Sequence, residues 1–231
     1  MRVQKAIAFA RTTVTGVATE HLRKQIVCGS VQPGESLPEA RVGEMLNVSR
    51  APVCEALRLL EREGLVEFGQ RGTARVCGFG LEDVRELGLM RMVLEPTASR
   101  LAAERRPQAG LDAIEKNLHA LKAVSRLDDV TRLDLEFHRL IFAAAGNKRL
   151  RLAWENLLSQ FSLVMRLFHE SLERRAQTSD VRDMTIGAHT ELFQAIRSGL
   201  PEEAEDLARR HTTYWLSEFS QSKAFAPQPA E

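Results

Sequence analysis

The sequence predicts a mainly α protein: an N-terminal winged helix-turn-helix with a small β-hairpin wing, then a C-terminal antiparallel all-α bundle. Three observations predict it. Val48 to Leu65 reads as one amphipathic helix, with Val53, Ala56, Leu57 and Leu60 at spacings of three and four behind the small polar Ser49 and the cationic Arg50. Two short alternating runs follow directly, around Gly69-Gln70-Arg71-Gly72. From Leu81 onward the pattern is almost wholly helical, punctuated by Pro107, Gly110, Gly146, Gly199 and Pro201.

Composition is compatible with this plan and excludes several others. A chain of 231 residues, 44% hydrophobic and 27% charged, is long enough for a head and a larger body. Through Cys77, 11 Lys+Arg stand against 8 Asp+Glu, so the head is mildly basic while the rest is mildly acidic. Cys28, Cys54 and Cys77 form an odd, widely spaced set with no C-x-x-C pair. They argue against a disulfide framework or a zinc ribbon and fit a reducing cytoplasm. The apolar run Ala6 to Ala10 is cut at Arg11, too short for a signal sequence. No stretch approaches the roughly 18 apolar residues that span a membrane. The expected location is therefore cytoplasmic, with no membrane partner.

Element by element, Val17, Leu22, Ile26 and Val27 mark a first helix ended by Gly29, after an arm of about 15 residues without periodicity. Pro33-Gly34 signals a turn, and Pro38-Glu39 starts a second helix that runs to Leu46 and stops at Asn47, a residue that tolerates positive φ. Ser49 is placed to cap the third helix, the recognition helix, and Arg50 lies at its positively polarised N-terminus. Gly64 ends that helix, and Leu65 to Phe68 and Thr73 to Cys77 form the wing. Six body helices are predicted, near 82–105, 110–124, 128–145, 148–174, 179–199 and 201–219. The domains are thus 1–77 for DNA binding, a linker at 78–81, a body at 82–221 and a flexible tail at 222–231.

The stretch Leu22 to Val76 contains VQPGESLPE, VSRAPVCEALRLLEREGLV and an Arg-Gly pair in one order and spacing. This resembles the head of the GntR family of bacterial transcription regulators. The resemblance implies DNA contacts from Arg41, Ser49, Arg50, Ala51, Pro52, Arg71 and Gly72. It also exposes two departures: Ala40 and Cys54 stand where relatives commonly carry DNA-holding arginines, with Arg41 the candidate substitute for one. In the body, RMVLEPTASRLAA (91–103), DLEFHRLIFAAAGN (134–147) and HTELFQAIRSG (189–199) resemble the ligand-binding FCD domain of the family's FadR-type branch. Six helices are more similar to its VanR-type members than to its seven-helix ones.

The body also holds the chemistry. Asp134 and His138 are four apart, hence on one helix face, a spacing that serves a surface ion pair or a shared metal. His189 lies on the stripe Ile186, His189, Phe193, Ile196, and His211 on Leu207, Ala208, His211, Trp215. Several inward titratable groups are costly unless something pairs them. A divalent metal would, and three imidazoles with one carboxylate suit Zn²⁺ first, with Ni²⁺ and Mn²⁺ as alternatives. The resemblance implies the same four ligands, Asp134, His138, His189 and His211. His21, His119 and His169 lack a partner at ligand spacing and are expected on the surface. Arg91 borders the helix face of Leu87, Met90, Leu94 and Leu101. It either meets an effector anion, as the resemblance implies, or pairs with Glu95 one turn on. Asn147 is expected to cap a helix, and Tyr214, Trp154 and Trp215 to be core.

Together these features predict a ligand-responsive transcriptional regulator, with repression the expected sign. A homodimer would place two heads on palindromic double-stranded operator DNA, with half-sites on the order of 34 Å apart. From the resemblance comes a small carboxylate as effector. Two alternatives stay open: a metal-dependent enzyme using the Asp/His₃ cluster, and a sensor of the ion itself. Against the enzyme stands the lack of an H-E-x-x-H motif, with Glu136 facing away from its neighbours.

Overall fold

The computed structural model describes residues 13–70, 72–173 and 178–221, so the predicted tail, Arg71 and most of the N-terminal arm lie outside the described residues. The chain divides into two compact units, Met1–Gly78 and Phe79–Glu231.

The first unit begins with α1, Val14–Val27, capped by Thr13, whose hydroxyl accepts from the Gly16 N–H at 3.0 Å. Helices α2 (Glu39–Leu46) and α3 (Arg50–Arg62) follow. Leu22 and Ile26 of α1 join Val53, Ala56, Leu57 and Leu60 of α3 in an apolar core, each no more than 2% exposed. The turn between α2 and α3 depends on two backbone properties. Asn47 is left-handed at φ 52°, which closes α2. A Cβ on Gly43 would stand 2.9 Å from the Val48 carbonyl, so the turn is too tight for a side chain there.

The wing is a three-stranded antiparallel sheet, where the sequence predicts two strands. β2 (Val66–Phe68) and β3 (Ala74–Val76) form the expected hairpin, and β1 (Ser36–Leu37) pairs on the far side of β3. With two residues, β1 has no alternation to detect. It is set by tertiary bonds, Gly34 N–H to Val76 O at 2.8 Å and Val76 N–H to Glu35 O at 3.0 Å.

The second unit holds seven helices among the described residues: α4 (Leu81–Arg105), α5 (Gln108–Ala123), α6 (Leu127–Ala144), α7 (Lys148–Glu155), α8 (Leu158–Glu173), α9 (Thr178–Ser198) and α10 (Pro201–Gln221). The predicted six become seven because the expected 148–174 helix divides at Asn156-Leu157. There the Leu157 N–H bonds tightly to the Trp154 carbonyl at 3.0 Å. No Gly or Pro marks this break. It is a packing choice that keeps Trp154 against both Phe142 and Phe161, with ring centroids at 5.0 and 5.9 Å. The helix expected from Gly110 starts two residues earlier, at Gln108, so Gly110 lies inside α5.

Helix α4 lies along α10 at close range, since a Cβ on Gly88 would meet Leu216 at 2.7 Å and the Trp215 ring at 3.1 Å. The buried face of α4 differs from the predicted stripe. Arg91, Glu95, Pro96, Ala98 and Ser99 point inward, whereas Met90 is 38% exposed. Trp154 and Trp215 are core as expected, but Tyr214 is not: it turns outward, 45% exposed. The Asn147 side chain caps α7, accepting from the Arg149 and Leu150 N–H groups at 3.1 Å each.

Candidate functional site

Two sites emerge, one on each unit. On the first, α3 presents Arg50 with its side chain 78% exposed, and Arg41, Ala51 and Gly72 are exposed too, with Pro52 half-buried. Gly72 takes the left-handed φ of 73° that turns the wing tip. Ser49 occupies the N-cap position but makes no side-chain capping bond, contrary to the expectation from sequence. Its hydroxyl stays exposed and available.

Arg50 does not stand free. Its Nε donates to Glu39 Oε2, the first residue of α2, across the turn. That hydrogen bond and the guanidinium charge hold the Glu39 carboxyl below its usual range, and Glu39 in turn raises the Cys54 thiol. Glu39, Ala40, Gly43, Asn47, Ser49 and Arg50 line an open groove of about 370 Å³. The position occupied by Cys54 thus faces the same carboxylate as Arg50, a link that the sequence does not show.

The second site is enclosed. Helix α6 supplies Asp134 and His138, α9 supplies His189 and α10 supplies His211, and one ligand atom from each lies within 4.8 Å of the others. Asp134 and His138 are 2% exposed and His189 is fully buried, while His211 is half-buried. The three imidazole centroids stand 5.1 to 5.2 Å apart. Phe137 stacks on His189 at 3.9 Å and 6°, which fixes that ring's plane.

Polar atoms in this cluster are left without hydrogen bonds. Asp134 Oδ2 and both ring nitrogens of His189 are buried and unsatisfied, although Asp134 Oδ1 lies 3.2 Å from His189 Nε2. Orphaned polar atoms of this type normally cost free energy, on the order of 1–3 kcal/mol each. Donor atoms around one first-row ion lie about 3–4 Å apart, so small side-chain adjustments would let these four share one. The residues therefore fit a divalent metal. Protonation states agree with this. Burial pushes His189 below the ordinary imidazole value, and burial together with the neighbouring His189, His138 and Arg91 pushes His211 lower still. Desolvation would raise Asp134, but His189 and His138 outweigh it and hold the carboxyl well below its usual range. Neutral imidazoles and an ionised carboxylate are the ligating forms.

Arg91, Glu95 and His169 complete the surroundings. Both sequence readings of Arg91 meet here: it is 2% exposed, beside the cluster, and it pairs with Glu95, Nε to Oε1 at 2.6 Å. Its guanidinium also lies 4.8 Å over the Trp215 ring and 3.1 Å from Met165 Sδ. His169 is not on the surface as expected but 1% exposed, its Nδ1 2.7 Å from Thr131 Oγ1. The error lies in judging His169 by ligand spacing alone. Phe161, Met165 and Phe168 carry an inward stripe that includes its helix face. His21 and His119 are exposed as predicted.

Comparison with known proteins adds a frame for both sites. Residues 15–76 match the model described as bacterial regulatory proteins, gntR family, and residues 86–214 match the FCD domain. The chain is 29% identical over 204 residues to the HTH-type transcriptional repressor RspR of Escherichia coli (strain K12), covering 87% of this chain and 85% of the relative. It is 26% identical over 218 residues to the gluconate operon transcriptional repressor of Bacillus subtilis (strain 168), with 88% of each covered. In fold it is similar to E. coli McbR/YncC, with a TM-score of 0.77 at 19% identity, covering 91% of this chain and 98% of that one.

Proposed function

The chain belongs to the GntR family of bacterial regulatory proteins, a DNA-binding transcriptional regulator and not an enzyme, and from that premise we propose how its body controls its head. Asp134, His138, His189 and His211 hold a divalent metal, Zn²⁺ first, with Ni²⁺ and Mn²⁺ as alternatives. When bound, the ion supplies a Lewis-acidic position for a small carboxylate. Arg91 stands beside this cluster as the second anion-facing group, its charge shared between Glu95 and the effector. The observation carrying the reading is the convergence of four ligand groups, three of them buried, with Asp134 Oδ2 and both His189 ring nitrogens left unsatisfied.

At the head, Arg41, Ser49, Arg50, Ala51, Pro52, Arg71 and Gly72 meet the operator, with the N-terminus of α3 entering the major groove. The working form is a cytoplasmic homodimer on a palindromic site, acting as a repressor as several relatives are named. Effector binding changes DNA affinity only insofar as it favours one state of the dimer over the other.

Metal analysis of the purified protein beside a triple His138, His189 and His211→Ala variant tests the centre. Stoichiometric metal in the wild type and none in the variant is expected; a wild type that stays metal-free after soaking overturns it. Titrating operator binding with metal, then with sugar acids and other organic acids, tests the coupling. A response to metal alone would make the ion the effector.

A further inference from the structure

We propose that Glu95 is a positioning residue for the metal centre: it fixes which nitrogen of His138 faces the ion. This rests on the metal reading above, but its structural half stands independently. His138 has two polar neighbours of opposite kind. Glu95 Oε2 lies 3.1 Å from Nδ1, and Arg91 Nη2 lies 3.3 Å from Nε2. A guanidinium can only donate, whereas the Glu95 carboxylate, ion-paired to Arg91 at 2.6 Å, can only accept. Nδ1 must therefore carry the proton given to Glu95, and Nε2 must present its lone pair to Arg91. Protonation at both nitrogens would set two donors against each other at Nε2. The opposite neutral tautomer would set them against each other there and leave two acceptors facing at Nδ1.

The arrangement is overdetermined, because Glu95 is itself fixed. Its Oε1 accepts from Arg91 Nε at 2.6 Å and its Oε2 lies 3.3 Å from Arg91 Nη2, and both side chains are 3% exposed. A carboxylate that accepts from the far nitrogen of a ligating imidazole raises its basicity and orients its ring. Glu95 does so from α4, whereas the ligands come from α6, α9 and α10. Arg91 completes the device by capping the Nε2 lone pair, a contact that ion binding at that atom has to displace.

The test uses the full-length protein with ¹⁵N-labelled histidine. In the metal-free wild type, long-range imidazole NMR correlations are expected to show His138 protonated at Nδ1 and bare at Nε2. Added Zn²⁺ is expected to move the Nε2 resonance most. Glu95→Gln keeps the shape and removes the charge, and its Zn²⁺ affinity, measured by competition with a chromophoric chelator, is expected to fall 10- to 100-fold. A His138 protonated at Nε2, or a Glu95→Gln protein that binds Zn²⁺ as tightly as the wild type, overturns the proposal. The tautomer measurement needs no variant, so it decides the matter even if Glu95→Gln fails to fold. A wild type that takes up no Zn²⁺ overturns the metal reading. Normal wild-type uptake with an unaffected variant overturns only the role of Glu95.

Discussion

The two units solve opposite problems with the same kind of residue. In the head, the core is apolar and the working side chains stand outside it, Arg50 with 78% of its side chain exposed. In the body, the candidate ligand side chains are part of the core, Asp134, His138 and His189 at 0–2% exposure beside Arg91 and Glu95. An exposed charge keeps its hydration and contributes little to stability, so replacing it costs the fold little. A buried charge needs a partner for every atom, so each residue depends on its neighbours. The head's site is therefore tunable residue by residue, whereas the body's is all or none.

Breaking the buried ion pair tests this contrast most severely. Arg91→Ala leaves Glu95 uncompensated in the interior and is expected to destabilise the body by about 3–5 kcal/mol. Arg50→Ala should change stability by less than about 0.5 kcal/mol, because its side chain is solvated. Calorimetry of both variants checks the difference, and equal losses would remove the contrast.

Acidification should separate the units next. His189, His169 and His211 are each held below the ordinary imidazole value, first by burial. An unfolded histidine titrates near about 6.5, so below that pH the unfolded chain binds protons that the folded body refuses. Body stability is then fully present above that pH and falls beneath it by up to about 1.4 kcal/mol per histidine per pH unit. Asp134 and Glu95, depressed instead, add their own loss only near about pH 4 and lower. Both tryptophans lie in the body, so thermal scans of the metal-free protein by tryptophan fluorescence report this unit. A melting temperature constant from pH 7.5 to 5 would contradict it.

Smaller effects are expected at the head. Cys54→Arg adds a cation beside Glu39 and should steepen the log-log salt dependence of operator binding by about 0.9, one phosphate's worth. An unchanged slope would show that this position does not face the backbone of DNA. Smallest is a matched pair of caps. Asn147→Ala should cost about 1 kcal/mol, while Ser49→Ala should cost almost nothing in stability because its hydroxyl caps no backbone group. Equal denaturation midpoints for the two variants would contradict that pairing.

Legibility in the sequence follows the range of the interactions. The turn at Asn47, the helix end at Gly64 and the wing tip at Gly72 are local conformational demands, and the residue types declare them. Asp134, His138, His189 and His211 could be named because each sits on its own helix's inward stripe. Helix α7 ends without a breaker residue, and β1 is only two residues long, so both escape periodicity. Glu95 was visible as Arg91's neighbour at i+4, but not its contact with His138, 43 positions away and on another helix. The Thr131 partner of His169 is likewise 38 positions distant. What stayed hidden is the side-chain pairing between helices, which no local pattern encodes.

The contact between Glu39 and Arg50 bears on how tightly the head can hold any DNA. If Arg50 meets DNA as proposed, the carboxylate already held against it makes that docking an anion exchange and not a fresh ion pairing. Any duplex that offers Arg50 only a phosphate replaces one negative oxygen with another and gains little there. Glu39 thereby subtracts a similar amount from every DNA sequence alike, lowering absolute affinity while leaving differences between base sequences intact. An internal competitor of this kind shortens the time spent on operator and unrelated DNA alike, and leaves the operator's share of the bound protein unchanged.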